Sequence, residues 1–373
     1  MRVKLIGIVA VAVLLSTAAC SRSPERERPV GRTTLFYEDA ERKSWTGEGP
    51  RPLHTTVWYP AERQATETEW TVGVFRAGWS AVDAEIGGKM EPRPLVVLSH
   101  GTGGAAAQLS WLAEHLAAHG YLVAAVNHHG NTAAEAAYLP HGFALWWERA
   151  RDLSAVIDHL TADARFGPRI DTLRIGAAGF SLGGYAVLSV AGARTDREAW
   201  ETACRRESPP PSCTLPPESP FSMDDVRTAV ARDTAAQVSL NRSGRSFRDE
   251  RIRAVYAIAP VLGPALEPQS LADISLPVRV VVGDADDQAL PDVTARPVAE
   301  RVPGADLEIL PDVGHYSFLA PCTLRGRLFL RQLCADLGPS RREVHRHVAT
   351  DARTFFDRTL RVEGRFMGER RER

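Results

Sequence analysis

From Thr55 onward, short aliphatic and β-branched runs alternate with longer stretches whose apolar positions recur at helical spacing. Strands are expected at Thr55–Tyr59, Leu95–Ser99, Leu122–Asn127, Leu173–Gly179, Ala254–Ala259, Val278–Val282 and Leu307–Leu310. Most are continuous apolar runs, as strands buried on both faces of a parallel sheet should be. Between them, Gln108–His119 and Leu145–Leu160 read as helices, the second through Trp146, Leu153, Val156, Ile157 and Leu160. Another helical run, Tyr185–Ala193, follows the fourth strand, and Ser340-x-x-Glu343 is a capping box that opens a helix to about Leu360. Strands alternating with helices predict an α/β fold, a mostly parallel central sheet with helices on both faces.

Two regions depart from the alternation. Residues 195–250 lie between two core strands and carry Pro209-Pro210-Pro211, Cys204, Cys213 and many charges, which reads as an insertion able to fold over a site as a lid, or else a solvated surface excursion. At the start, Arg2 and Lys4 precede an apolar run from Leu5 to Leu15, about a dozen residues and short of the roughly 20 that span a membrane. The run ends in Ser16-Thr17-Ala18-Ala19-Cys20, which resembles the lipobox of bacterial lipoproteins and marks Cys20 for lipidation. The alternatives are plain secretory cleavage with Cys20 incidental, or an uncleaved anchor; all three place the domain outside the cytoplasm. The expected organisation is a leader over 1–19, a tether over 20–52 with an early strand near Thr33–Tyr37, a catalytic domain over 53–362 and a charged tail over 363–373.

The 373 residues are 44% hydrophobic and 24% charged with a formal net charge of −1, a composition that excludes disorder and gives no general attraction for nucleic acid. A membrane partner is expected only through the N-terminal anchor.

The chemistry concentrates at Gly179-Phe180-Ser181-Leu182-Gly183, a G-x-S-x-G set directly between a strand and a helix. Such a turn strains its central residue and needs neighbours without bulk, so glycines flank a serine whose hydroxyl projects at the carboxyl edge of the sheet. A serine hydroxyl needs a base, and the base needs an orienting acid. In the order serine, acid, histidine, only His315, His345 and His347 lie far enough downstream. The last two fall in the terminal helix, where a solvated face is expected, whereas His315 follows a strand in the loop Asp312-Val313-Gly314-His315. Of the carboxylates after Val278–Val282, Asp286 is favoured by its spacing from Gly283, Asp287 is second, and Asp284 shapes the turn. Upstream, Ser99-His100-Gly101-Thr102-Gly103-Gly104 stands where an oxyanion loop would, with the amides of Thr102 and Leu182 as donors. It lacks the lysine and the glycine spacing of a phosphate-binding turn. His128 and His129 are adjacent and point apart, which favours hydrogen-bonded cleft positions over a metal pair. Trp146 and Trp147 are core, pocket wall, or one of each.

The blocks SHGTGG, VNHHGNT, WERARDLSAVIDHL, RIGAAGFSLGG, VVVGDADD and VGHYSF, spread over about residues 95–320, resemble the α/β-hydrolase superfamily. The likeness is to bacterial dienelactone-hydrolase-like and platelet-activating-factor-acetylhydrolase-like serine esterases. It implies Ser181 as nucleophile, Asp286 as acid, His315 as base, the Thr102 and Leu182 amides as oxyanion hole, and neither metal nor organic cofactor. Dienelactone hydrolases proper use a cysteine at the elbow; the acetylhydrolase-like branch implies short-acyl or lipid-like esters. Polyester hydrolases, cutinases and lipases share the apparatus, and a noncatalytic lipoprotein or a metal-free haloperoxidase could reuse the scaffold. With Cys20 assigned to lipid, four of the five cysteines remain, and short separation predicts the disulfides Cys204–Cys213 and Cys322–Cys334.

Overall fold

The computed structural model describes residues 28–215, 219–336 and 338–361; the expected leader, Cys20 and the tail 363–373 lie outside the described residues. Among these, ten strands build one sheet: β1 Val30–Lys43, β2 Pro50–Pro60, β3 Thr68–Val72, β4 Phe75–Val82, β5 Arg93–Ser99, β6 Leu122–Val126, β7 Ile170–Phe180, β8 Ile252–Ile258, β9 Val278–Gly283 and β10 Asp306–Leu310. Their spatial order is β10-β9-β8-β7-β5-β6-β2-β1-β4-β3. From β6 to β10 every pairing is parallel, and β2 joins β6 antiparallel. Strands β5 to β9 are buried along most of their length, β6 completely, which is why they read as unbroken apolar runs, while β10 at the edge is half-buried.

Strand β1 contains the early strand expected near Thr33–Tyr37 but runs well beyond it, and β3 and β4 are not among the expected strands. Val30–Lys43 pairs with β2 from end to end apart from a bulge between Asp39 and Lys43, so residues 30–43 belong to the sheet and not to a tether. Its side chains alternate between the sheet and solvent, Leu35 packing inward and Phe36 73% exposed, and this half-buried pattern is quieter than a core run. Likewise β3 and β4 form a polar antiparallel edge pair.

Helices Ser110–Ala118, Glu148–Ala162, Leu182–Ala191 and Arg341–Thr359 flank the sheet. The last begins with the expected reciprocal capping box between Ser340 and Glu343 and buries Val344, Val348, Phe355 and Phe356. The order of β6, β5 and β7 sets the site. The chain passes from β5 outward to β6, then returns to β7 on the other side of β5, so the crevice beyond the carboxyl ends of β5 and β7 is a topological switch point.

Candidate active site

Ser181 occupies the turn between β7 and helix Leu182–Ala191 with φ 58° and ψ −118°, a strained backbone for a residue carrying a side chain. The turn closes because its flanks lack side chains: a methyl on Gly179 would land on the Gly183 carbonyl, and one on Gly183 on the Ser99 carbonyl. Ser181 is thereby aimed at the cavity it lines, at the positive end of a helix.

His315 comes from the loop after β10, and its Nε2 lies 3.0 Å from Ser181 Oγ. Its Nδ1 lies 2.8 Å from Asp286 Oδ2. The other Asp286 oxygen accepts from the amides of Gln288 at 2.9 Å and Ala289 at 2.6 Å, which fixes the carboxylate in the loop after β9. Asp287 is exposed and lines the cavity, while Asp284 accepts from the Asp312 amide at 2.7 Å and so ties the two loops together. The structure thus brings Ser181, His315 and Asp286 together and leaves Asp287 outside the chain. His347 is surface-exposed and pairs with Glu308 at 2.7 Å. His345 is not on a solvated face: it is buried and stacked on Trp111 at 4.2 Å, packing the terminal helix beneath the loop that carries His315. Burial, then the Arg341 charge, pulls its pKa down to about 3, so its ring is neutral.

The loop after β5 is held by a buried polar network. His100 Nδ1 donates to the Gly101 carbonyl at 2.7 Å, and its Nε2 accepts from the His128 amide at 3.1 Å. Arg149 is buried and donates to the His100 carbonyl at 2.5 Å and to Asn131 Oδ1 at 3.1 Å; that Asn131 oxygen also accepts from the Gly103 amide. The loop is therefore anchored on both sides of Thr102, and the Leu182 amide opens the helix beside it. Ser99 Oγ donates to His128 Nε2 at 2.8 Å, and His128 Nδ1 donates to Asp152 Oδ2 at 2.9 Å. Burial opposes the charge of Asp152, but Arg51 and Arg42 hold its carboxyl well below the usual range. Burial and the Arg149 charge bring His128 down to about 3. His128 thus holds a hydrogen-bonded position as expected, and His129 accepts from Ser44 and from the Trp45 amide at 3.0 Å. Sequence reasoning missed Arg149, Asp152, Arg51 and Asn131. The signal was present in Glu148, Arg149 and Asp152, charged residues on the apolar face of a core helix.

Comparisons with known proteins fit this geometry. Residues 63–145 match the family of platelet-activating factor acetylhydrolase, isoform II, and residues 107–200 the prolyl oligopeptidase family. The structure superposes on a ferulic acid esterase from Streptomyces cinnamoneus with TM-score 0.63 and 22% identity, covering 94% of this chain and 95% of that one. The chain has the α/β-hydrolase fold. Among curated relatives, the chain is 30% identical over 159 residues to Cutinase est1 of Thermobifida alba, covering 40% of this chain and 48% of that protein. It is 34% identical over 106 residues to Cutinase 2 of Thermobifida cellulosilytica, covering 28% of this chain and 36% of that one. The match therefore spans half or less of each curated relative.

The residues after helix Leu182–Ala191 form a cap over the site. A cavity of about 1240 Å³ opens beside Ser181, His315 and Thr102, and helices Arg197–Cys204, Met223–Arg232 and Thr234–Leu240 contribute much of its wall. Trp147 is core, its Nε1 donating to Ser239 of the cap at 2.9 Å, whereas Trp146 lines the cavity and meets Trp200 edge-on at 4.8 Å. The insertion is thus tied to the core through two adjacent tryptophans. Cys204–Cys213 staples the cap and Cys322–Cys334 the segment beyond the His315 loop, with Cα separations of 5.4 and 5.8 Å.

Proposed function

We propose that this protein is an exported serine carboxylester hydrolase working through an acyl-enzyme. Ser181 Oγ attacks the ester carbonyl carbon while His315 Nε2 takes the hydroxyl proton. Asp286 keeps the other ring nitrogen protonated and stabilises the imidazolium. Negative charge on the carbonyl oxygen is met by the amides of Thr102 and Leu182, which the braced loop and the helix start preorganise. His315 then protonates the departing alcohol, and a water deprotonated by the same ring releases the acid and restores Ser181. The observation that carries this reading is the continuous hydrogen-bonded chain from Ser181 through His315 to Asp286 at the wall of a cavity.

The cavity suits short-acyl or lipid-like esters better than a polymer. It is roofed by the cap and partly walled by Trp146, Trp200, Val226, Val230 and Leu240, whereas a polymer chain needs an open groove. Two disulfides support residence in an oxidising compartment, and lipidation at Cys20 would hold the domain at the cell envelope. A panel of p-nitrophenyl esters graded by acyl length tests the function. Turnover that favours short or medium acyl chains supports it, and no turnover of any ester overturns it.

A further inference from the structure

Ten large apolar residues stand exposed among the described residues, and four of them fall within seven positions: Leu324 at 75%, Leu328 at 64%, Phe329 at 75% and Leu330 at 44%. Single exposed apolar side chains are ordinary, but a cluster of this density marks an interaction surface. The exposure is built in. Just before the cluster, the Pro321 carbonyl accepts from the Arg76 amide at 2.7 Å and the Thr323 amide donates to Val74 at 2.8 Å. At the far end, Arg341 donates to the Leu333 carbonyl at 2.9 Å, and the Cys322–Cys334 disulfide closes the segment. With both ends tied, the apolar face cannot fold back onto the domain.

Its charge points to the partner. Residues 323–335 carry Arg325, Arg327 and Arg331 and no carboxylate, in a protein whose net charge is −1. All three arginines are exposed, and none forms an ion pair among the described residues. Apolar side chains ringed by unpaired cations match the boundary of an anionic bilayer, where the apolar groups enter the acyl region and the cations meet phosphate. A second copy suits the surface poorly, because a two-fold pairing would set these arginines against one another. The segment is also continuous with the pocket: Gln332 and Ala335 line the cavity, as do Tyr316 and Leu319 just upstream.

We propose that segment 323–335 docks on an anionic phospholipid surface and seats the cavity against it. The role of the cavity rests on the esterase reading above; the docking itself does not. The test uses the full chain carrying Cys20→Ser, so that a lipid on Cys20 cannot carry the binding, and phosphatidylcholine vesicles with or without phosphatidylglycerol. In cosedimentation the protein should partition onto the phosphatidylglycerol vesicles far more than onto pure phosphatidylcholine, and release at high salt. Adding Leu328→Asp with Phe329→Asp, or Arg325→Glu with Arg327→Glu and Arg331→Glu, should lower partitioning at least about tenfold. Any contribution from the leader is common to all these proteins and cancels. Hydrolysis of soluble p-nitrophenyl acetate and the melting temperature should stay unchanged, which separates lost docking from lost folding. Failure to bind, binding insensitive to the substitutions, or a dimer in solution dissolved by Leu328→Asp would each overturn the proposal and leave the esterase reading standing. Vesicle binding by a protein that hydrolyses no ester would do the reverse.

Discussion

Ser181, His315 and Asp286 form one serine–histidine–aspartate chain with separations of 3.0 and 2.8 Å, and Ser99, His128 and Asp152 form another with 2.8 and 2.9 Å. The distances hardly differ; the surroundings do. Ser181 sits on a strained turn beside a large cavity that Thr102 and Leu182, the proposed oxyanion donors, also line. Ser99 ends a central strand, fully buried and paired in register with β6 and β7, so no carbonyl carbon can reach its oxygen. Asp286 is held largely by backbone amides, whereas Asp152 is locked between Arg51 and Arg42. Hydrogen-bond geometry alone therefore does not make a nucleophile: a cavity, a strained turn and waiting donors do. The buried chain has a different task, fixing the end of β5 and the start of the loop that carries Thr102.

The largest predicted effect separates the two serines. Ser181→Ala should lower kcat by about 10⁶. Ser99→Ala leaves one buried imidazole nitrogen unpaired, so it should cost about 1–3 kcal/mol of stability and change kcat less than about tenfold. Ester kinetics and urea unfolding on both variants check this. Among the acids, Asp286→Asn should reduce kcat by about 10⁴, while Asp287→Asn, altering an exposed side chain, should leave it nearly intact. Equal or reversed losses would move the acid to Asp287.

Asp152→Asn should act on folding first, because Arg42 and Arg51 would keep their charges in the interior without a full counter-charge. Urea unfolding should show a loss of about 3–5 kcal/mol. Arg149→Met removes the fork that grips the loop carbonyl and Asn131, and should lower kcat by about 10² with KM little changed. Arg149→Lys should restore part of that, a rescue that mere packing would not give.

The smallest effect is a pH dependence. His128 and His345 are held near 3, and His100 well below its ordinary value, all first by burial. Each is neutral when folded, so below about pH 6.5 the unfolded chain binds more protons than the native one. Stability from these rings is fully present above that pH and is lost as pH falls toward about 3. Asp152, held low by its arginines, adds loss in the same direction at more acid pH. Urea unfolding between pH 7 and 5 should show the decline, and His128→Gln should flatten it.

Much of this was legible in the sequence. Strands β5 to β9 announced themselves because burial on both faces forces unbroken apolar runs, β2 and β10 through shorter apolar stretches, and Ser181, Asp286 and His315 were picked out by one turn motif, chain order and the spacing from Gly283. Of β1, β3 and β4, only a short piece of β1 near Thr33–Tyr37 was legible, because alternating, half-buried strands resemble loop sequence. Nor was the second chain legible: Arg51, Asp152 and Arg149 are charged types that usually mark surface, and only the packing of β2, β6 and helix Glu148–Ala162 shows them buried together. His345 was masked by the same habit, since a histidine among arginines on a terminal helix reads as solvated until Trp111 is found stacked on it.

The most direct test of the contrast between the two chains is labelling with a fluorophosphonate, followed by intact-mass measurement and peptide mapping. One adduct per chain, on Ser181, with none on Ser99 and none after Ser181→Ala, is the result expected. No adduct at all, or an adduct that survives Ser181→Ala, would contradict the assignment of Ser181 as the nucleophile.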